Sequence, residues 1–156
     1  MNEGLCIFTD GGCSGNPGPG GWAYVMVTQT FQRTQILAKD KGNEKNTTNN
    51  KMELTAVIMA LRALRTMTNA PRGTTVYTDS QYVQKGITEW IHSWKRNSWR
   101  TSDKKPVKNK ELWTELDALS SEFSIKWEWI KGHAGNEFNE MCDEMTQEAI
   151  REAVVV

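Results

Sequence analysis

Two short segments of the 156-residue chain repeat one pattern: an aromatic residue, a threonine, an aspartate and a small residue. The pattern occupies residues 8–11 and 77–80, and each copy ends a run typical of a β-strand. If the two strands are neighbours in a sheet, Asp10 and Asp79 emerge at the same edge, where open α/β sheets bind ligands. Aspartate is also a favoured turn former and helix cap, so each residue alone has a purely structural alternative.

Glu53 has a pattern that a structural role explains less well. On a helix it lines up with an apolar stripe at +4, +7, +8 and +11, formed by Val57, Ala60, Leu61 and Leu64. A charge at the margin of a core needs a partner, or its pKa shifts until the group is neutral. The alternative is that Glu53 only interacts with the positive end of the helix dipole.

Asp143 repeats this argument on the last predicted helix. It lies at the edge of a stripe formed by Phe138, Met141, Cys142, Met145 and Ala149, although this helix is rich in acids that would be expected on a solvated face. Four carboxylates at one site would repel one another unless divalent cations neutralised them. Ligands that are all oxygen suit Mg²⁺ or Mn²⁺, and the few cysteines and histidines argue against zinc.

The two histidines differ in context. His133 lies between two glycines in the loop 131–136, ten residues before Asp143, where it could transfer protons beside a metal–carboxylate site. A solvated side chain is the alternative for a lone loop histidine. His92 lies in a predicted helix with Trp90 and Trp94, and a structural role is expected for it.

The charges are unevenly distributed, although the chain has 19 basic and 19 acidic residues. The segment 94–110, here called the basic lobe, contains one acid and seven basic residues: Lys95, Arg96, Arg100, Lys104, Lys105, Lys108 and Lys110. Basic residues beside indole rings suit nucleic acid, through phosphate contacts and stacking. The spacing of Trp90 and Trp94 also fits a helix seam packed on a neighbour, whereas Trp99 is expected to be exposed and is the better ligand candidate.

The elements that must position these residues follow from the local patterns. Strands are predicted over 4–9, 22–29 and about 33–40, the first three forming a meander, and later over 74–78 and 125–130. Residues 41–50 are expected to form a loop. Helices are predicted over about 52–67, from Asp79 or Ser80 through Trp94 in two pieces, over 110–121 and from about Glu137, with 153–156 frayed or capping. The order βββαβααβα indicates an α/β layer structure around a mixed sheet.

Length and composition predict one globular domain over residues 1–156. The first residues have neither the basic region nor the apolar core of a signal peptide, and no apolar run approaches the length of a membrane span. Three unpaired-looking cysteines, Cys6, Cys13 and Cys142, favour a reducing cytoplasm over a disulfide scaffold. No exposed apolar stripe calls for a dimer, so a monomer is expected.

Five blocks of sequence, in order, make the chain resemble the bacterial type I ribonucleases H, which cut the RNA strand of RNA–DNA hybrids. They are FTDGGCSGNPGPGGWA (8–23), TTNNKMELTAV (47–57), VYTDSQYVQKGI (76–87), WKRNSWRTSDKKPVKNKELW (94–113) and WIKGHAGNEFNEMCDEM (129–145). The resemblance implies a ribonuclease H-like fold: a five-stranded mixed sheet with its first three strands antiparallel, flanked by helices, and a basic protrusion at about 90–110.

The resemblance also implies the site. Asp10, Glu53, Asp79 and Asp143 would be catalytic and hold two Mg²⁺ ions, with Mn²⁺ as a possible substitute, and His133 would assist proton transfer or product release. The products would carry a 5′-phosphate and a 3′-hydroxyl. Contacts to the hybrid are implied for three groups: Cys13, Asn16, Asn49 and Gln81 on the RNA strand; Asn50, Trp90, Lys95, Arg96, Trp99, Arg100, Lys104 and Lys105 on the DNA strand; Thr48 and Asn109 in a phosphate pocket.

Two alternatives remain at this stage. A relative with the same fold, such as an integrase, transposase or junction resolvase, would act on duplex DNA. A non-catalytic module would keep the basic lobe and bind hybrids without turnover, with salt-sensitive affinity. This chain also has Asn97 and Ser98 where relatives often carry a basic residue and glycine, from which we expect slightly lower affinity for the hybrid.

Overall fold

A computed structural model describes residues 4–29, 33–67, 73–131 and 136–154. Five strands form one sheet in the order β3-β2-β1-β4-β5. The strands are β1 (Gly4–Cys13), β2 (Gly18–Gln29), β3 (Thr34–Thr47), β4 (Thr74–Thr78) and β5 (Ile125–Trp129). The first three are antiparallel neighbours, whereas β4 pairs in parallel with both β1 and β5. The predicted mixed sheet and its antiparallel first three strands are confirmed.

The helices pack on both faces of this sheet. They are α1 (Asn49–Arg65), α2 (Gln81–Lys85), a π-helical turn (Gly86–Trp90), α3 (Ile91–Arg96), α4 (Lys110–Ser120) and α5 (Glu137–Val154). The larger core lies between the sheet and α1, with Trp113 and Leu116 of α4 fully buried in it. The smaller core lies between the opposite face and α5, and contains Phe8 and Cys142. None of these helices has the length and apolarity needed to cross a bilayer, within the residues just given.

Two expectations about element ends are wrong. Residues 41–47 belong to β3 and not to a loop, because the buried strand β2 pairs with this polar edge strand as far as Thr47, with a register shift near Gly20. Most β3 side chains are exposed, so the strand lacks the apolar alternation by which a sequence pattern identifies a strand. At the other end, α5 continues to Val154, and Ala153 is buried and not frayed.

Candidate active site

The parallel pairing of β1 with β4 brings the two aspartates of the repeated pattern together. Thr9 lies opposite Thr78 in this ladder, so Asp10 and Asp79 follow at the same edge of the sheet. The Thr9 hydroxyl donates to the carbonyl of Tyr77 over 3.2 Å, which adds a side-chain link between the strands. The expectation that these strands are neighbours is confirmed.

The first turn of α1 places Glu53 beside this pair. Thr48 caps the helix, its hydroxyl accepting from the Lys51 backbone N–H at 3.2 Å. The helix backbone at Met52 and Glu53 lies so close to Gly11 that a methyl group there would overlap it. Because glycine has no Cβ, α1 approaches β1 closely enough for Glu53 to face Asp10. The apolar stripe predicted from Glu53 onward is buried as expected.

Asp143 reaches the same edge from α5, on the other face of the sheet. Asn136 caps this helix, its side-chain oxygen accepting from the backbone N–H groups of Phe138 and Asn139 at 2.9 and 3.0 Å. The buried thiol of Cys142 donates to the carbonyls of Phe8 and Ala23 at 3.5 and 3.2 Å, which ties the helix to β1 and β2. The next residue, Asp143, then lies within hydrogen-bonding reach of Asp10.

These four carboxylates, Asp10, Glu53, Asp79 and Asp143, form what is here called the acidic centre. Asp10, Glu53 and Asp79 each offer one carboxylate oxygen within 4.8 Å of those of the other two. Asp10 is 7% exposed and is the member that also contacts Asp143. The four acids predicted from separate segments therefore meet at one edge of the sheet.

The electrostatics of the acidic centre call for a positive charge. Burial, followed by the like charges of Asp79 and Asp143, raises the pKa of Asp10 to about 8. Burial and the charges of Asp79 and Asp10 raise the pKa of Glu53 well above its usual value. Without a cation, protonation is the remaining way to relieve this repulsion.

The donor atoms fit a hard divalent cation. All are carboxylate oxygens, the ligands that Mg²⁺ and Mn²⁺ prefer. The Oε1 atom of Glu53 is buried, and no hydrogen-bond donor reaches it among the residues described. A buried carboxylate oxygen without a donor is costly, and a bound cation would satisfy it.

The residues predicted for the RNA strand lie beside this centre. The backbone N–H of Cys13 donates to Oδ1 of Asn49 over 2.9 Å, and the backbone N–H of Asn49 donates to Oδ1 of Asn16 over 3.2 Å. These three residues therefore form one linked surface at the start of α1. Gln81 is exposed in the first turn of α2, two residues after Asp79. Their contacts with a ribose backbone stay a prediction.

The basic lobe is organised around a cluster of aromatic rings. Trp94 packs against Trp90, Trp99 and Trp113 at centroid distances of 6.0, 6.3 and 5.2 Å. Trp99 is half-buried, so the expectation that it is exposed is wrong, and Trp90 is the more exposed ring at 38%. The Trp99 ring packs against the main core, and the N–H of the buried Val107 donates to the Trp99 carbonyl over 3.0 Å.

The basic side chains of this lobe are exposed. Lys95 pairs with Asp117 at 3.3 Å, and the described residues show no ion pair for the other predicted contacts, Arg96, Arg100, Lys104 and Lys105. Asn109 has a positive φ of 62° and donates through Nδ2 to the Tyr82 hydroxyl over 3.2 Å. Asn50 is exposed in the first turn of α1. His133 lies outside the described residues.

Sequence reasoning missed several hydrogen bonds between the elements around the acidic centre. Tyr82 accepts from both Asn109 and the Nε1 atom of Trp113, and the indole of Trp129 donates to the backbone carbonyl of Asp79. These contacts depend on which strands and helices are neighbours. No spacing along the chain signals them.

Comparisons with known proteins agree with this arrangement. Residues 2–151 match the family model described as RNase H. A ribonuclease H of Treponema denticola is 49% identical over 153 residues, covering 92% of this chain and 94% of its own. A ribonuclease H of Wolbachia pipientis is 51% identical, covering 96% and 97%. The crystal structure of LC9-RNase H1, a type 1 RNase H with the type 2 active-site motif, superposes with a TM-score of 0.85 at 28% identity, covering 99% of this chain and 75% of its own.

Proposed function

Because the chain belongs to the ribonuclease H family, we propose that the acidic centre is its catalytic site, with Asp10, Glu53, Asp79 and Asp143 as the catalytic carboxylates. The protein is an endonuclease that hydrolyses the RNA strand of RNA–DNA hybrids. The observation that carries the proposal is the meeting of four acids from four separate elements at one sheet edge. A cluster of this kind is costly to the fold, which favours a role in function.

The family depends on divalent metal ions, and we propose that the same four carboxylates hold two Mg²⁺ ions, for which Mn²⁺ can substitute. When bound, such ions lower the pKa of a water molecule and stabilise the charge on the leaving oxygen. The products of this reaction are a 5′-phosphate and a 3′-hydroxyl.

The chain's own residues have separate tasks in this proposal. Asp10 would hold metal together with the other acids, because its carboxylate neighbours those of Glu53, Asp79 and Asp143. Glu53 contributes the buried oxygen Oε1, which no donor reaches in the part of the chain that the structure describes. His133 moves a proton at the reacting phosphate or assists product release, a role that rests on its position in the sequence.

Two surfaces of the protein would contact the hybrid. The linked residues Cys13, Asn16 and Asn49, together with Gln81, would contact 2′-hydroxyl groups of the RNA strand, since this group distinguishes RNA from DNA. The DNA strand would cross the second surface toward a phosphate pocket. That surface comprises Asn50, Trp90, Lys95, Arg96, Trp99, Arg100, Lys104 and Lys105, and the pocket comprises Thr48 and Asn109.

We propose one catalytic domain over residues 1–156, with a basic protrusion at about 90–110, that acts as a monomer in the cytoplasm. Its three cysteines are free, which is typical of a reducing compartment. No other protein subunit is needed to complete the acidic centre, since all four of its carboxylates come from this chain.

The first test is a cleavage assay on one sequence prepared as RNA–DNA hybrid, duplex RNA, duplex DNA and single-stranded RNA. Each substrate is incubated with Mg²⁺ and with a chelator. We expect cutting of the RNA strand of the hybrid alone, and only with metal. Cleavage of duplex DNA at a matching rate would instead indicate a DNA-processing relative, and metal-independent binding without turnover would indicate a hybrid-binding module.

A further inference from the structure

Asp79 is the member of the acidic centre whose backbone has the least support from its own element. Asp10 lies within β1, which is paired on both sides, and Glu53 and Asp143 lie on long helices. Asp79 is instead the first residue beyond β4, in the turn that leads to α2. Asp10, Glu53 and Asp79 each offer one carboxylate oxygen within 4.8 Å of the others, so the position of this turn determines how the three groups meet.

Three hydrogen bonds between described residues hold this turn. The Ile130 N–H donates to the Thr78 carbonyl over 2.9 Å, and the Ser80 N–H donates to the Thr78 hydroxyl over 3.0 Å. The third bond comes from a side chain: Nε1 of Trp129 donates to the backbone carbonyl of Asp79 over 2.9 Å. Trp129 lies opposite Thr78 in the β4–β5 ladder, so its indole reaches one residue past the end of the paired strand.

The exposure of Trp129 is not what packing alone would produce. The ring is 41% exposed, although it is among the largest apolar side chains of the protein. Trp127, two residues earlier on the same strand face, packs against the main core. Trp127 is thus held by core packing, whereas Trp129 is half-exposed and donates its indole N–H to Asp79.

We propose that Trp129 is a positioning residue, whose indole N–H fixes the Asp79 turn so that the Asp79 carboxylate stays aimed at Asp10 and Glu53. The inference rests on the proposed function, because it takes Asp79 as a metal ligand. Partners that orient a metal ligand from outside the coordination sphere commonly change metal affinity by about 10- to 100-fold. Here the bond is to a half-exposed backbone carbonyl, so the lower end of that range applies.

The test is a calorimetric titration of the substrate-free protein with Mg²⁺ alone. Trp129→Phe keeps an aromatic ring and removes the donor, and we expect its Mg²⁺ affinity to fall about tenfold. Trp127→Phe is the matched control, since it removes an indole from the same strand face without touching Asp79, and its Mg²⁺ affinity should equal that of the wild type. Asp79→Asn tests the premise separately and should weaken binding further.

Each outcome has a distinct meaning. Equal Mg²⁺ affinity in Trp129→Phe and Trp127→Phe, with weakened affinity in Asp79→Asn, would overturn the positioning role and leave the proposed function intact. Unchanged affinity in Asp79→Asn would overturn the assignment of Asp79 as a ligand. In the cleavage assay, Trp129→Phe should regain kcat at high Mg²⁺ with an unchanged KM for hybrid. A raised KM at saturating Mg²⁺, with normal metal affinity, would make the ring a substrate contact instead.

A second measurement needs no variant that could fail to fold. In ¹⁵N-labelled wild-type protein, the indole N–H signal of Trp129 should shift during Mg²⁺ titration and saturate at the concentration that calorimetry reports. The indole signal of Trp127 should stay in place. A Trp129 signal that is insensitive to Mg²⁺ would contradict the coupling between this indole and the Asp79 turn.

Discussion

The acidic centre draws its four carboxylates from β1, α1, the end of β4 and α5, whereas the basic lobe draws its cations from one continuous segment, 94–110. The acids are buried or half-buried and repel one another. The cations are exposed and, apart from Lys95, have no ion pair within the described ranges. Chemistry on a phosphodiester needs fixed charges in a partly dry site, whereas attraction of a polyanion needs only accessible ones.

The acidic centre and the basic lobe should therefore respond differently to the loss of one charged residue. Loss of one acid should abolish turnover and relieve repulsion in the fold, because the centre acts as a unit. Loss of one cation should weaken binding by a small step, because each phosphate contact contributes independently.

Catalytic activity should be lost almost completely when Asp10, which neighbours the other three carboxylates, loses its charge. Asp10→Asn keeps the shape of the side chain, and we expect kcat on the hybrid in Mg²⁺ to fall by about a thousandfold or more, since metal-derived charge stabilisation is worth several kcal/mol. Asp40→Asn is the matched control, because Asp40 is an exposed acid on β3 of the same sheet. If Asp10→Asn cuts as fast as the wild type, the acidic centre is not the catalytic site.

The same substitution should stabilise the metal-free fold at high pH. The pKa of Asp10 is raised in the folded state, from 3.8 to about 8, so its contribution to stability is present below pH 4 and is lost as the pH rises through 8. We expect Asp10→Asn to raise the Tm in chelator at pH 9 by roughly 5 to 10 °C, and by much less at pH 4.

Thermal melts at the two pH values, with chelator and with Mg²⁺, measure this effect. Mg²⁺ should reverse the order at pH 9, because a bound cation stabilises the wild-type carboxylates and has one ligand fewer in the variant. A variant that is less stable than the wild type at pH 9 in chelator would show that the acids do not repel in the fold.

Removal of cations from the basic lobe should weaken hybrid binding in small steps. Removing two of its exposed cations, in Lys104→Ala with Lys105→Ala, should raise KM for the hybrid by about tenfold and leave kcat unchanged, since each phosphate contact contributes about threefold near physiological salt. The dependence of KM on salt should become shallower. Lys126→Ala is the control, because Lys126 pairs with Glu128 on β5 at 3.1 Å and lies outside the lobe. An unchanged salt dependence would remove the lobe from the hybrid interface.

The two regions also differ in how far the sequence could predict them. Three of the acids could be identified from local patterns. Glu53 is a charged residue on an apolar stripe, and Asp10 and Asp79 lie at equivalent ends of two strands. That they meet depended on the β1–β4 pairing, which local patterns do not determine. The length of β3 was missed because an exposed edge strand needs no apolar alternation, and Trp129 was missed because its partner is a backbone carbonyl on another strand.

In the basic lobe, the charge could be predicted from the sequence, but the exposure of the side chains could not. The polar neighbours of Trp99 predicted an exposed ring. The turn formed by Ser98 and Trp99 instead places this ring against Trp94. Ser98 and Trp99 have φ values of 56° and 60°, in the left-handed region. Consecutive residues in this conformation reverse the chain at the end of α3, and residue types give only a weak signal for it unless glycine is present.

That turn provides the prediction with the smallest expected effect. Ser98→Gly removes the steric cost of a side chain at positive φ, and we expect a gain of about 0.5 to 1 kcal/mol, or a Tm higher by roughly 2 °C. Ser93→Gly is the matched control, because Ser93 is an exposed residue inside α3, where the same chemical change should lower the Tm by a similar amount. The Ser93 hydroxyl also accepts from Nδ2 of Asn97 over 3.4 Å, so the gain in Ser98→Gly, and not the size of the loss in Ser93→Gly, measures the effect of backbone conformation. Neither change alters the acidic centre, so kcat should stay the same in both variants. A lower KM in Ser98→Gly would mean that the rigidity of this turn limits how well the basic lobe binds the hybrid.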